Sequence, residues 1–174
     1  MYAQEPVNVN LRNLLVVMVI FIVGGAWFLG AVANEDALWF MPYFDETPSR
    51  IVVYRAGCRA EILPGRPGFA ELTAALNQTL SQVDGYEQGF GLSPETLQGY
   101  IARGYALEIS YPTRIRIHTP YRFGAPDTLF IPLDGHFGGT RAVFGGHRGE
   151  YWASALRLKT VEPIRHAAEQ IHCP

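Results

Sequence analysis

The hydrophobic positions of this chain fall into three successive patterns. The first is residues 14–33, an apolar run without one charged side chain. At roughly 1.5 Å rise per residue, about 20 such residues make a helix that crosses a hydrocarbon core of roughly 30 Å. This span predicts a transmembrane helix. Residues 37–44 come almost at once after it and carry Trp39, Phe40, Met41, Tyr43 and Phe44, too apolar a set for an ordinary solvated linker. Trp and Tyr favour the headgroup layer, where one edge of the ring is dry and the other wet. Residues 34–50 are therefore expected to form an aromatic juxtamembrane collar lying along the outer interface. Pro42 breaks any continuous helix, and Thr47-Pro48-Ser49 reads as the hinge into a separate domain.

The second pattern is helical and follows a short hairpin that opens the region 51–174. A strand over 51–55 turns through Ala56-Gly57 into a second over 58–63, with Gly57 supplying a positive φ, so the region begins with a β-hairpin. Pro64-Gly65-Arg66-Pro67-Gly68 stops it. Phe69, Leu72, Leu76, Leu80 and Val83 then recur at helical spacing and predict a helix over 69–83. A loop is expected around Gly85, Gly89 and Gly91. Ser93 is a natural N-cap with Pro94 at the first helical position and Glu95 complementing the dipole, so a short helix ends near Gly104.

From Tyr105 the period becomes two. Tyr105, Leu107, Ile109 and Tyr111 alternate with small or polar residues, and Ile115 and Ile117 alternate with Arg114, Arg116 and His118. This predicts an antiparallel pair with one solvated face. Further strands over 128–133, 141–144 and 150–158 would be separated by turns at Asp134-Gly135, Gly138-Gly139 and Gly145-Gly146, as an antiparallel β-meander. Val161, Ile164, Ala168 and Ile171 form the stripe of a closing helix. The fold class predicted is α+β: one N-terminal transmembrane helix, then a single domain with the N-terminal hairpin, the meander and about three helices.

Composition narrows the setting. The region after the collar is long enough for one core and short for two. Residues 45–174 carry 13 basic and 13 acidic residues, so no net field favours nucleic acid, and none is expected as a partner. Arg12 precedes the apolar span, no Lys or Arg occurs after it until Arg50, and Glu35, Asp36, Asp45 and Glu46 crowd the far side. The expected orientation therefore has residues 1–13 as a cytoplasmic tail and the domain extracytoplasmic, in the cell membrane. The competing reading is a cleaved signal sequence, because Ala31-Val32-Ala33 has the small-x-small form. Against it, the apolar core exceeds the usual signal length and its leader is weakly cationic.

Candidate chemistry is sparse. Within the span, Gly24, Gly25, Ala26 and Gly30 form a small-residue face suited to close approach of another helix; glycine is also simply common in membrane helices. Cys58 and Cys173 are the only cysteines, and outside the cytoplasm they are expected to form one disulfide, the alternative being two unpaired thiols. His118, Asp134, His136 and His147 carry the residue types of a metal or acid–base site, but their spacing matches no specific one. Solvated histidines in glycine-rich loops are the plainer account. Phe137-Gly138-Gly139 recurs as Phe144-Gly145-Gly146 without the Lys-Ser/Thr ending of a phosphate loop, and reads as two turns with buried phenylalanines. Arg114, Arg116, Arg122 and Arg141 with Tyr111, Tyr121 and Tyr151 fit either an aromatic docking surface or a solvated sheet face.

Serine nucleophile elbows, haem-attachment cysteine pairs and helical zinc motifs are absent from the sequence. The expectation is a non-catalytic single-pass accessory subunit without a cofactor. Its helix and collar would dock on integral membrane protein subunits in the lipid bilayer, as in the single-pass subunits of electron-transport assemblies. The alternative is an anchored extracytoplasmic binding or hydrolytic domain acting alone.

Overall fold

The structure, a computed structural model, describes residues 10–89 and 91–172. Helix α1, Leu11–Asn34, starts three residues before the apolar run, because Asn10 caps it by accepting from the Arg12 N–H at 3.1 Å. Its 24 residues are all outside the core, and it is long and apolar enough to cross a membrane. Glu35 ends it in the left-handed region at φ 54°, and the Asp36 N–H returns to the Ala31 carbonyl at 3.0 Å. Of the tail expected over 1–13, residues 1–9 lie outside the described residues.

The remaining described elements are β1 (Arg50–Arg55), β2 (Cys58–Ile62), α2 (Phe69–Leu80), β3 (Val83–Gln88), α3 (Pro94–Arg103), β4 (Tyr105–Ser110), β5 (Thr128–Pro132), α4 (Gly135–Gly138), β6 (Ala142–His147), β7 (Glu150–Leu158) and α5 (Glu162–Glu169). The class is α+β, with one fully antiparallel seven-stranded sheet in the order β2-β1-β4-β5-β6-β7-β3. The hairpin forms as expected, with Ala56 and Gly57 both at positive φ. The described residues hold five helices; α4, a single turn, is the addition to the three expected in the domain.

Four strands, β4 to β7, run as the predicted meander, but the hairpin joins it through β1 and an unpredicted strand closes the far edge. That strand, β3, falls where the long helix was expected to end and a glycine loop to begin. Its sequence Val83-Asp84-Gly85-Tyr86-Glu87-Gln88 has little alternation, and it is held by pairing with β7. Arg157 of β7 ties it down, bonding Asp84 at 2.9 Å and Glu87 at 3.0 Å. A Cβ at Gly85 would sit 2.6 Å from that guanidinium, so only glycine lets Arg157 lie across the edge.

The sheet is covered on both faces, against the expectation of one solvated face. On one, Ile51, Val53, Leu107, Ile109, Ile131 and Leu156 meet α2 and α5 through Leu72, Leu76 and Ile164. On the other, Val52, Tyr54, Ala106, Phe130 and Phe144 meet Tyr100 of α3 and Phe137 of α4. Strand β1, one in from the β2 edge, has all of Ile51, Val52, Val53 and Tyr54 buried, the continuous apolar run of a strand covered twice.

The second predicted strand of the antiparallel pair, over 114–118, does not form. Residues 111–127 run without regular structure. The alternation was real, since Ile115, Ile117 and Phe123 are buried in the first core, but Pro112, Pro120 and Pro126 deny the segment a ladder of donors. Gly145 and Gly146 likewise lie inside β6 rather than in a turn, and the reversal falls at Arg148 and Gly149, both at positive φ.

Candidate functional site

The long loop 111–127 reaches the end of α1 and fastens it to the domain. Asp36, only 8% exposed, receives His118 Nδ1 at 2.8 Å on one oxygen and the Leu38 N–H at 2.9 Å on the other. Glu35 pairs with Arg122. Trp27 Nε1 donates to the Ala37 carbonyl at 3.1 Å, and Asn34 Nδ2 to that of Gly30 at 2.9 Å. Trp39 then folds back on the helix: a Cβ at Gly30 would lie 2.5 to 2.6 Å from its indole. The Trp39 Nε1 donor is buried there without a partner.

The collar thus divides between two environments. Leu38, Phe40, Met41 and Tyr43 are exposed, whereas Phe44, 3% exposed, is a core residue of the domain, edge-on to Tyr111 at 6.1 Å. The Phe44 N–H donates to Ser81 Oγ at 3.0 Å, and Asn77 bonds Asp45 at 3.1 Å. Tyr43 reaches Asp45 at 3.0 Å, and that hydrogen bond, with the carboxylate's charge, raises its phenol above the ordinary value. Of the small-residue face, Gly30 is filled by the chain's own Trp39, while Gly24 and Gly25 have nothing within 4 Å of a Cβ.

Between the end of α1, the loop and β7 lies a cleft of about 360 Å³. One wall is aromatic: Phe123 packs edge-on to Trp152 at 5.6 Å, and Tyr86 stacks on Tyr121 at 6.2 Å nearby. Gly145 makes that wall possible, since a Cβ there would sit 2.8 Å from Phe123 and 2.9 Å from Trp152. Gly124, at φ 82°, passes under the same indole. The opposite rim carries Glu35, Asp36, Arg116 and Arg122. Sequence reasoning singled out Arg116, Arg122 and His118 individually. It had no means of joining them to Trp152 and the helix end, because the alternation of 114–118 reads as a strand and does not say which distant elements the segment meets.

The residues proposed for a metal or acid–base site are not brought together. His118 is bonded to Asp36. His147 lies between two partners, Nε2 at 3.1 Å from the Arg114 guanidinium and Nδ1 at 2.5 Å from Asp127. Asp134 accepts the Tyr105 N–H at 2.8 Å, and its carbonyl accepts the Tyr100 hydroxyl at 3.0 Å. His136 is exposed and packs on Phe137 at 4.8 Å. Among the described residues no group of three or more His, Cys, Asp or Glu is placed to hold a metal.

The arginine and tyrosine surface is also divided. Tyr111 is buried in the core, where desolvation drives its phenol well above the usual range. Tyr151 lies on the opposite face of the sheet, its phenol likewise raised by burial. Arg141 belongs to the β3 edge through Asp84 at 3.8 Å. A polar cluster not read from the sequence sits beside Tyr151: Glu108 binds Arg50 at 3.0 Å and the Tyr54 hydroxyl at 3.0 Å. Burial first, and then the Glu108 charge, raise the Tyr54 phenol. All three side chains satisfy one another and leave no free nucleophile.

Cys58 is disulfide-bonded; Cys173 lies outside the described residues. The chain leading to it is held at the hairpin, where Arg55 donates to the Ile171 carbonyl at 3.0 Å. Compared with protein-family models, with curated proteins and with solved structures, the chain matches none of them.

Proposed function

We propose that this chain is a non-catalytic single-pass accessory subunit of a larger membrane protein complex, with α1 spanning the cell membrane, its N-terminus cytoplasmic and its domain extracytoplasmic. The observation that carries this reading is that α1 is apolar from 14 to 33 with no residue buried, yet its end is bonded to the domain through Asp36, His118, Glu35 and Arg122. A domain on a free tether needs no such fastening. A fastened one presents one face at one height above the bilayer, as bracing a partner's outer surface requires. Gly24, Gly25 and Ala26 would face partner helices, and Phe40 and Tyr43 would lie along the interface. Electron-transport assemblies are one host of this kind.

The test is native purification of the full chain in mild detergent. A stoichiometric complex with integral membrane subunits is the expected result; migration alone at monomer size overturns it. A reporter fused at Pro174 should be active only outside the cytoplasm, and cytoplasmic activity would reverse the orientation. The second reading, an anchored binding domain acting alone, draws its support from the cleft of Trp152 and Arg116 rather than from His118, Asp134, His136 and His147. Monomer migration together with ligand binding by the full chain would favour it.

A further inference from the structure

We infer that the cleft beneath α1 holds the anionic headgroup of a membrane phospholipid, with Arg116 on the phosphate and Trp152 and Phe123 against the glycerol and the first methylenes. This rests on the reading of α1 as a membrane span. Depth is the first support: Asn34, the last residue of the helix, lines the cleft together with Glu35 and Asp36. A helix of 24 residues is roughly 36 Å long, against a hydrocarbon core of roughly 30 Å. Its end therefore lies among headgroups. About 360 Å³ is also a volume that accommodates a small amphiphilic group.

Charge decides the kind of headgroup. Four ionised side chains rim the cleft, and three are already committed, Asp36 to His118 and Glu35 to Arg122. Arg116 is exposed on the rim, and no hydrogen bond or ion pair involves it among the described residues. A guanidinium matches two phosphate oxygens in one plane. The aromatic wall would also suit a choline cation, but both carboxylates that would accompany it are already taken up within the chain, Asp36 by its hydrogen bond with His118 and Glu35 by Arg122. The balance thus favours an anionic headgroup over a zwitterionic one. A free phosphate would use Arg116 and leave the aromatic wall uncovered, whereas a lipid uses both.

The experiment titrates the full chain, purified lipid-free in detergent, with phosphatidylglycerol or phosphatidylcholine and counts retained lipid by native mass spectrometry. Phosphatidylglycerol should be retained about tenfold more tightly, because the choline of phosphatidylcholine offsets the phosphate charge that Arg116 meets, and Arg116→Gln should abolish that preference. Arg103→Gln, a cation on α3, should leave it unchanged. An unaltered melting curve of Arg116→Gln shows that the variant is folded. Equal retention of the two lipids, or an Arg116→Gln variant that retains phosphatidylglycerol like the parent, overturns the assignment. So does displacement of the lipid by an equal concentration of glycerol phosphate, which would mean that phosphate alone is bound. Alkaline extraction of membranes tests the underlying span separately: release into the soluble fraction overturns both, whereas retention in the pellet with no effect of Arg116→Gln overturns the headgroup site alone.

Discussion

Tyr43 and Phe44 are neighbours in an apolar run, and substituting each by alanine should have very different consequences. Phe44 is 3% exposed and packs edge-on to Tyr111, whereas Tyr43 is 55% exposed and bonded only to Asp45. Removing a buried phenylalanine ring forfeits its burial, about 1.5–3 kcal/mol, and leaves a cavity, for a total of about 3–5 kcal/mol. The backbone bond from Phe44 to Ser81 survives the change, so the lower end, about 3 kcal/mol, is expected. Tyr43→Ala should stay within about 0.5 kcal/mol. In urea, with a slope of about 1–3 kcal/mol per M, Phe44→Ala should lower the unfolding midpoint of the domain by roughly 1–3 M. The assay is circular dichroism of the full chain in detergent, read in the β-sheet band. Equal shifts for the two variants, or a larger one for Tyr43→Ala, would refute the division of the collar into a core residue and an exposed one.

Three further outcomes rest on particular contacts. Gly30→Leu should evict Trp39, since even a Cβ lies 2.5 Å from the indole; in a background with Trp27 and Trp152 replaced by Phe, the Trp39 emission should shift in the isolated protein, and an unmoved spectrum would show that the contact is not there. Burial tends to raise the Asp127 carboxyl, but hydrogen bonds from His147 and Thr128, with the electrostatic pull of His147 and the Arg148 N–H, outweigh it and hold the group below its ordinary 3.8. A carboxyl depressed in the folded state contributes stability that is fully present above the ordinary value and is lost as pH falls through the folded one. The urea midpoint should therefore drop between about pH 5 and about pH 2 by more in the parent than in Asp127→Asn, and parallel curves would count against the pair. If Cys58 pairs with Cys173, the full chain has no alkylatable thiol before reduction and two after. Reduction should then cost about 4–5 kcal/mol of stability for a loop of more than 100 residues, and an unchanged thiol count disposes of the bond.

Where local pattern and final environment agree, the sequence alone was sufficient. The long helix α1 is legible because an uncharged apolar run of that length has the composition of one continuous helix, and the hairpin because Ala56-Gly57 can turn with positive φ. The short helix α3 is legible because Ser93 and Pro94 satisfy its first turn, with Ser93 Oγ accepting the Thr96 N–H at 3.2 Å. The alternation of 105–110 likewise announces a strand. Long-range decisions left no such trace. The edge strand β3 has almost no apolar alternation and exists through β7 and Arg157. The alternation of Ile115 and Ile117 looks like a strand, but it is burial without a ladder: the Ile115 N–H reaches the Pro126 carbonyl at 2.8 Å, and the prolines around it supply no donors to extend the pairing.

The candidate site shows the same boundary at finer scale. Its residues come from the end of α1, a loop some 80 positions later and β7, and proximity of that kind is set by the sheet order rather than by spacing. Composition announced that the opening stretch is apolar and its collar aromatic. The tertiary structure decided that Trp39 fills the notch at Gly30, that Phe44 belongs to the domain core, and that Asp36 is closed off by His118. Each is a contact that local propensity does not specify, where packing and desolvation choose the partner.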